Sequence, residues 1–187
     1  MSDKHKKIPA FTAGFRWILF GLLCGIAIGF IASLFGIAIV KVSNIRFEHP
    51  LLIWLLPAVG AGIVWLYRMA GDSVAGGTDL VIEAIRNKEP MPGRMAPLIF
   101  ISTILTHFAG GSAGREGAAL QMGGSLASSL GKVLKNIIGL KDSDHGTVVM
   151  CGMSAAFSAL FGTPIAAVLF ALEMCRFCML VSCSIQH

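Results

Sequence analysis

An arginine and a glutamate stand side by side within a long apolar, glycine-rich stretch, AGGSAGREGAALQMGG (Ala109–Gly124). Ionisable side chains and flexible glycine backbone both cost free energy inside hydrocarbon, so their presence there suggests a function. The pattern predicts a helix that begins at or just after Glu116 and leaves backbone N–H groups free at its positive end. Because glycine has no Cβ, an ion can approach those groups closely. We therefore expect an anion-binding site at this helix end.

Glu116 has a specific place in this hypothesis. Its carboxylate is itself an anion on a short tether, so it can occupy the empty site, swing away when an ion arrives, and take up a proton once displaced. It would thus act as both a gate and a proton carrier. The alternative is that Arg115 and Glu116 form an ion pair or face water. Adjacent residues on a helix do not face each other, which disfavours the ion pair.

The composition indicates an integral membrane protein. Of the 187 residues, 55% are hydrophobic and 13% are charged, whereas soluble domains average about 25% charged residues. Trp17–Val40 carries no charge over a length sufficient for a spanning helix, which needs about 20 residues. Leu51–Tyr67 is a second, shorter uncharged run, whose neighbour Arg68 could snorkel to the interface. We expect a single transmembrane domain over residues 1–187.

The N-terminal segment is basic. We read it as uncleaved, because the apolar run that follows is too long for the apolar core of a signal peptide. Lys4, Lys6, Lys7 and Arg16 then predict that residues 1–16 lie in the cytoplasm, with the protein in the plasma (inner) membrane. A net charge of +5 suits contact with anionic membrane lipids or with nucleic acid. Basic and aromatic residues do not alternate as they do in nucleic-acid sites, so we expect lipids and no nucleic-acid partner.

After the first span the chain breaks into short pieces. Val42–Pro50 is predicted as a polar link, and Pro57 is expected to kink or break the second helix. Glycine and proline turns then separate the remaining predicted segments, which are Asp79–Arg86, Met95–Phe108, Ala118–Leu134, Thr147–Phe161 and a last helix that opens at Ile165–Met174. Broken helices whose ends meet inside a bilayer are typical of ion and solute sites in transporters.

Other candidate residues have simpler structural interpretations. Cys175 and Cys178 have the spacing of a metal or redox pair but no partner pair, so no metal or cofactor is expected. His107 is interpreted as a packing histidine rather than a proton relay. A glycine and serine row at four-residue spacing predicts a close helix contact on the first helix: Gly21, Gly25, Gly29 and Ser33. Without a nucleophile triad or a Walker loop, an enzyme is not expected.

Acidic residues near the short amphipathic piece could resemble a cation site. They are Asp72, Asp79 and Glu83. Because they stand at a turn and at the start of a short helix, helix capping and favourable interaction with the helix dipole explain them more simply.

Three motifs together resemble the CLC family of chloride channels and proton-coupled anion transporters. The Gly-Arg-Glu-Gly core with Gln121 and Gly123 is similar to the family signature G-[KR]-E-G-P and the helix start that follows it. AGGTDLVIEAI (Ala75–Ile85) resembles the family's G-S-G-I-P loop, and AAFSALFGTPIAAVLFALEMCRF (Ala155–Phe177) resembles its F-N-A-P-L-A-G-I-L-F-x-x-E-E helix. The matches follow the family order over Gly14–Phe177.

The resemblance implies an all-α, polytopic membrane fold with two inverted repeats per subunit and a homodimer in which each subunit has its own pore. It implies that Glu116 is the gating glutamate and that Glu173 lies on a possible proton path, with Met174 where exchangers often carry a second glutamate. The implied anion-binding positions are Gly76, Gly77, Thr78, Gly114, Arg115, Gly117 and Ala118.

Departures from the family motifs leave the ion open. Gly76 stands in place of the family's serine, Asp79 in place of one proline and Ala118 in place of another. Sequences that loosen both motifs resemble the fluoride-exporting branch more than the chloride channels. The expected ion is therefore chloride, carried by a channel or an anion/proton antiporter, or alternatively fluoride exchanged for protons.

Length is the largest departure. The family's second repeat brings another helix start, G-x-F-x-P, and a pore tyrosine, whereas the single tyrosine here is Tyr67. We expect residues 17–177 to be the first inverted repeat and residues 178–187 a divergent tail left by truncation or frame shift, in which case the fragment would not transport. The alternative, a half-size protein that dimerises, is disfavoured because the partner would have to insert upside down.

Overall fold

The computed structural model is built of helices. It describes residues 10–71, 81, 84–85, 91–140 and 144–185, without the side chains of residues 10–13, 136, 175 and 177–185. No strand occurs in this described part. Its α-helices are α1 (Ala10–Glu48), α2 (Leu56–Ala70), α3 (Met95–Phe108), α4 (Arg115–Leu134), α5 (His145–Phe161) and α6 (Pro164–Ile185). A 3-10 helix, Pro50–Leu55, precedes α2, and a π-helix, Lys135–Gly139, extends α4.

The first helix is longer than the sequence pattern predicts. The predicted polar link at Val42–Pro50 is wrong, because α1 continues through it to Glu48. Nothing in that link breaks a helix before Pro50, and its polar residue Asn44 is exposed, so the segment remains helical. The expected break at Pro57 is confirmed, since α2 begins one residue earlier and carries Pro57 in its first turn.

The helix boundaries around the glycine-rich stretch agree closely with the prediction. The α3 bounds coincide with those predicted. The α4 helix begins at Arg115, one residue before Glu116 and three before the predicted Ala118. Gly162 ends α5 in the left-handed conformation, with a φ of +69°, and Pro164 opens α6. Pro164 suits a helix start because proline lacks the N–H that a first turn leaves unpaired anyway.

The core lies where α4 and α5 cross and where α1 and α3 pack beside them. The α1 helix contributes one buried face at helical spacing, consisting of Phe20, Cys24, Ile28, Ala32, Phe35 and Ile39. The predicted close contact along its glycine row holds only in part. Ala159 lies 3.8 Å from the Cβ position of Gly29, but no described residue lies within 4 Å of that position at Gly21 or Gly25. Most of the contact is made by the larger residues of the buried face of α1, such as Phe20 and Phe35.

Much of the remaining surface is apolar. Among the described residues, two helical stretches are long and apolar enough to cross a membrane, Gly14–Glu48 and Pro50–Ala70. Large side chains such as Phe30, Trp54 and Trp65 are exposed along them. Exposing an apolar surface of this extent to water is unfavourable, whereas contact with the hydrocarbon of a bilayer is favourable.

The far ends of α1 and α4 are connected. Gly139, at the end of the π-helix, has a φ of +68°, and its carbonyl accepts a hydrogen bond from the Arg16 guanidinium near the start of α1. The last carbonyls of a helix carry partial negative charge, so a cation is favourable there. Arg16 therefore ties the end of α4 to the first helix.

Candidate functional site

The start of α4 exposes the backbone groups that an anion would use. Gly114 is the N-cap residue, with extended backbone angles (φ −67°, ψ 126°), and as a glycine it has no side chain with which to cap the helix. The N–H groups of the first turn have no carbonyl one turn earlier in the helix to receive them. A helix start with uncapped N–H groups therefore lies where the sequence predicted it.

Glu116 lies on this first turn and folds back over it. Its Oε2 atom lies 3.5 Å from the position that a Cβ would take at Gly114. The side chain is exposed, and no hydrogen bond to another described residue holds it. A carboxylate beside the positive end of a helix is electrostatically favoured. The carboxylate therefore lies where an anion at this helix start would also be favoured.

Arg115 does not form the ion pair considered as an alternative. Its side chain is exposed, as is that of Glu116, and no ion pair joins the two. Successive residues on a helix point in directions about 100° apart, which explains the separation. The exposure of both side chains also fits the water-facing alternative, whereas the uncapped helix start beside Glu116 fits the anion site.

Behind its first turn, α4 enters the core at once. Gly117 is half-buried, and Ala118, Ala119 and Leu120 are buried. One α4 turn further on, Gly123 packs directly on the backbone of Gly152 in α5. The helix start is thus a surface tip on a rigidly packed helix.

The glycine loop before α4 is compact. Gly110 N–H donates to His107 O at 3.1 Å, and Gly111 N–H donates to Thr106 O at 2.8 Å. Gly110 has a φ of +87°, a conformation that residues with a side chain rarely adopt. Leu56 Cδ1, at the start of α2, lies 3.1 Å from the Cβ position of Gly111. The start of α2 and the end of α3 therefore meet at this loop.

The interpretation of His107 as a packing residue fits its geometry. Its Nδ1 lies 2.8 Å from Thr103 O, one turn earlier in α3, and the ring is half-buried. Nδ1 must be the donor in this contact, because the carbonyl can only accept.

The other predicted site residues do not all fall within the described part. Gly76, Gly77 and Thr78 lie outside it, as do the acidic residues Asp72, Asp79 and Glu83. Glu173 is exposed on α6. Among the described residues, no group of three or more histidine, cysteine or acidic side chains could hold a metal ion. Cys24 is buried in the core and Cys151 half-buried, both as free thiols, as expected of packing residues. One residue near the site was not predicted, Arg46, which lies against Gly110.

Comparison with known proteins connects this geometry to a family. The family model described as voltage gated chloride channel matches residues 59–184, reaching past Phe177, where the motif resemblance ends. The chloride/fluoride channel protein of Pseudomonas syringae pv. tomato (strain ATCC BAA-871 / DC3000) is 38% identical over 160 residues, which cover 85% of this chain and 34% of the relative. The H(+)/Cl(-) exchange transporter ClcA of Vibrio vulnificus (strain YJ016) is 27% identical over 169 residues, covering 82% and 35% of the two chains.

A solved structure agrees with these relatives in fold. A CLC-type fluoride/proton antiporter superimposes with a TM-score of 0.76 at 38% sequence identity, covering 83% of this chain and 38% of the antiporter. The chain therefore spans about a third of the length of the relatives that it matches. Its helices have the arrangement of the antiporter's helices over that length, and the chain belongs to the voltage-gated chloride channel, or CLC, family.

Proposed function

We propose that this chain forms the part of a halide-transporting membrane protein in which Glu116 gates the ion pathway. The observation that carries the proposal is the position of the Glu116 carboxylate, folded back over the uncapped start of α4 with Oε2 3.5 Å from the Cβ position of Gly114. The names of the relatives, a chloride/fluoride channel, a proton/chloride exchanger and a fluoride/proton antiporter, supply the ion class.

The backbone from Gly114 to Ala118 would bind the ion. Its N–H groups carry partial positive charge, which attracts a halide but holds it weakly enough to let it go. Gly114 and Gly117 have no Cβ to block the approach, and Arg115 adds positive charge at the tip. The carboxylate of Glu116 competes for the same N–H groups, so an arriving halide displaces it and a departing one lets it return.

The displaced carboxylate can also take up a proton. A protonated Glu116 no longer competes as an anion, so protonation and halide occupancy favour each other. Glu173, on α6, is the second acidic residue that we assign to a proton path. With Met174 beside it, the path does not use the paired glutamates of many exchangers.

The remaining parts of the site follow from matching positions. We assign Gly76, Gly77 and Thr78 to the loop that contacts the central anion. The inner membrane, a cytoplasmic N-terminus, anionic lipid contacts and a homodimer belong to the same proposal. Residues 17–177 would form the first inverted repeat, so the complete pathway requires the additional length that the relatives have.

Fluoride/proton antiport is the second candidate, and a specific observation favours it. The two matches at 38% identity both have fluoride in their descriptions, whereas the proton/chloride exchanger matches at 27%. Loss of the family's serine at Gly76 points the same way, because that loop contacts the ion.

A transport experiment tests the proposal. Residues 14–177 replace the aligned segment of the Pseudomonas syringae relative, and the resulting protein is reconstituted in liposomes. Efflux of chloride and of fluoride is recorded with electrodes, with and without a pH gradient. We expect the protein to move at least one of the two ions, and Glu116→Gln to abolish proton movement and change the rate of anion efflux.

The matched control is Glu48→Gln, which removes an exposed carboxylate at the end of α1 and, at 1 M ionic strength where its charge is screened, should leave both fluxes unchanged. Unaltered anion efflux together with unaltered proton movement in Glu116→Gln would exclude the gate. Faster fluoride than chloride efflux would select the antiporter candidate. The 187-residue chain alone, measured in parallel, is expected to give no specific efflux.

A further inference from the structure

Arg46 occupies the space that a side chain would need at Gly110. Its Nε, Nη2 and Cζ atoms lie 3.0, 3.5 and 3.6 Å from the Cβ position of Gly110. Gly110 also has a φ of +87°, so both its conformation and its surroundings require glycine. The guanidinium near the end of α1 is therefore seated on the glycine loop that leads into α4.

The N–H groups of the Arg46 guanidinium have no hydrogen-bond acceptor among the described residues. Its one recorded interaction is with the ring of Phe47, whose centroid lies 5.5 Å from Cζ, and no group in the described part of the chain accepts a hydrogen bond from it. Glu48, two positions further along α1, points in another direction. Half-buried guanidinium groups without an acceptor carry a desolvation cost that an anion would offset.

The length of the loop limits how far this charge can lie from the start of α4. Glu116 comes six positions after Gly110, so even a fully extended chain would place the two residues no more than roughly 20 Å apart. At low salt, where the Debye length is about 30 Å, a fixed charge acts over that distance, whereas at 1 M salt, where it is about 3 Å, it does not.

We infer that Arg46 is an outer docking position where a halide first binds before it moves to the N–H groups of α4. This inference rests on the proposed function for the onward step, because the anion must have a site to move to. Arg46 stays half-exposed, so it holds the ion loosely and releases it. Its role is to raise the local halide concentration at the loop, and it does not take part in gating.

Two measurements test this inference, one of binding and one of transport. The first is the broadening of the ³⁵Cl NMR line by the purified 187-residue chain in detergent, which reports exchange of chloride with bound positions. The second is chloride and fluoride efflux through the grafted protein at 10 mM and 1 M ionic strength. The variants are Arg46→Gln, Arg46→Lys and a control, Arg68→Gln.

Arg68 is a matched control because it is an exposed arginine near the other end of α2. It stands twelve residues after Leu56, which contacts the glycine loop, and so lies about 18 Å from it along the helix axis. Arg46→Lys retains the positive charge. It therefore distinguishes loss of charge from a folding defect, should Arg46→Gln fold poorly.

We expect Arg46→Gln to reduce efflux roughly two- to fivefold at 10 mM ionic strength and to match the parent at 1 M. Arg46→Lys should remain near the parent rate, and Arg68→Gln, about 18 Å from the loop, should lose clearly less than Arg46→Gln at 10 mM and nothing at 1 M. A loss in Arg46→Gln that is equal at low and high salt would indicate a structural role and overturn the inference, as would rates equal to those of Arg68→Gln at low salt.

The binding measurement separates this inference from the proposed function. Should the grafted protein move no halide at all, the proposed function fails, and the ³⁵Cl line decides on Arg46 alone. Broadening that falls in Arg46→Gln but not in Arg68→Gln supports the docking position. Equal broadening in the parent and both glutamine variants overturns it.

Discussion

Gly123 of α4 and Gly152 of α5 face each other where the two helices cross. A Cβ built on either residue would overlap the carbonyl oxygen of the other, and one on Gly123 would also lie 2.6 Å from Ala156 Cβ. Backbones approach this closely only when neither residue has a side chain. The crossing therefore determines where α4 lies, and with it where the helix start at Arg115 emerges.

Adding a methyl group at this crossing should destabilise the fold. We expect Gly152→Ala to lower the free energy of unfolding by about 1–3 kcal/mol, because the obstructing atoms are the Gly123 backbone and the Ala127 Cβ, neither of which can move aside easily. Denaturant titration in detergent, followed by far-UV circular dichroism, measures the change. Gly25→Ala is the control: in the part of the chain that the structure describes, nothing lies within 4 Å of its Cβ position, and it should be neutral or slightly stabilising. Equal effects of the two substitutions would refute the crossing.

Buried serine hydroxyls on α4 hold the segment before α3. Ser128 is fully buried, and its hydroxyl donates to Met91 O at 3.1 Å while His145 Nε2 lies 3.3 Å away. Ser128→Ala leaves the Met91 carbonyl without this donor, so we expect a loss of about 1–3 kcal/mol in the same titration. Ser129→Ala, which removes a hydroxyl bonded only within its own helix to Ser125 O, should change stability little. A neutral Ser128→Ala would contradict this account.

The connection between Arg16 and Gly139 predicts a local effect. Arg16→Ala removes the guanidinium that bonds to Gly139 O, and a hydrogen bond from a charged group contributes about 1.5–3 kcal/mol. We expect faster amide hydrogen exchange in residues 135–140 and little change around the α4–α5 crossing. Lys41→Ala, an exposed cation elsewhere on α1, provides the comparison. Uniform acceleration across the chain, or none at residues 135–140, would show that the contact does not stabilise this helix end.

The helices were predictable where local chemistry alone determines their limits. Glycine and proline marked the bounds of α3 and the junction of α5 with α6 within a few residues, because these residues act on the backbone itself. The end of α1 was not predictable in the same way. The charged residues Arg46 and Glu48 suggested a polar link, yet helical backbone tolerates charged side chains once they lie beyond the apolar core.

The candidate site was predictable in part for the same reason. The helix start at Glu116 depends on a local pattern of glycines and one carboxylate, and the structure has a helix start there. Arg46 could not be identified, because it lies 64 positions before Gly110 in the sequence and meets it only through the packing of α1 beside α3. The π-helix after Leu134 likewise has no local signal.

Competition between the Glu116 carboxylate and a halide is the central claim, and halide affinity measures it most directly. Calorimetric titration of the grafted protein with chloride and with fluoride compares the parent, Glu116→Ala and the control Glu48→Ala. Removing the competitor should tighten binding of the transported halide about tenfold, or about 1.4 kcal/mol, while the control leaves it unchanged. An affinity in Glu116→Ala that is equal to or weaker than that of the parent, for both ions, would contradict the account.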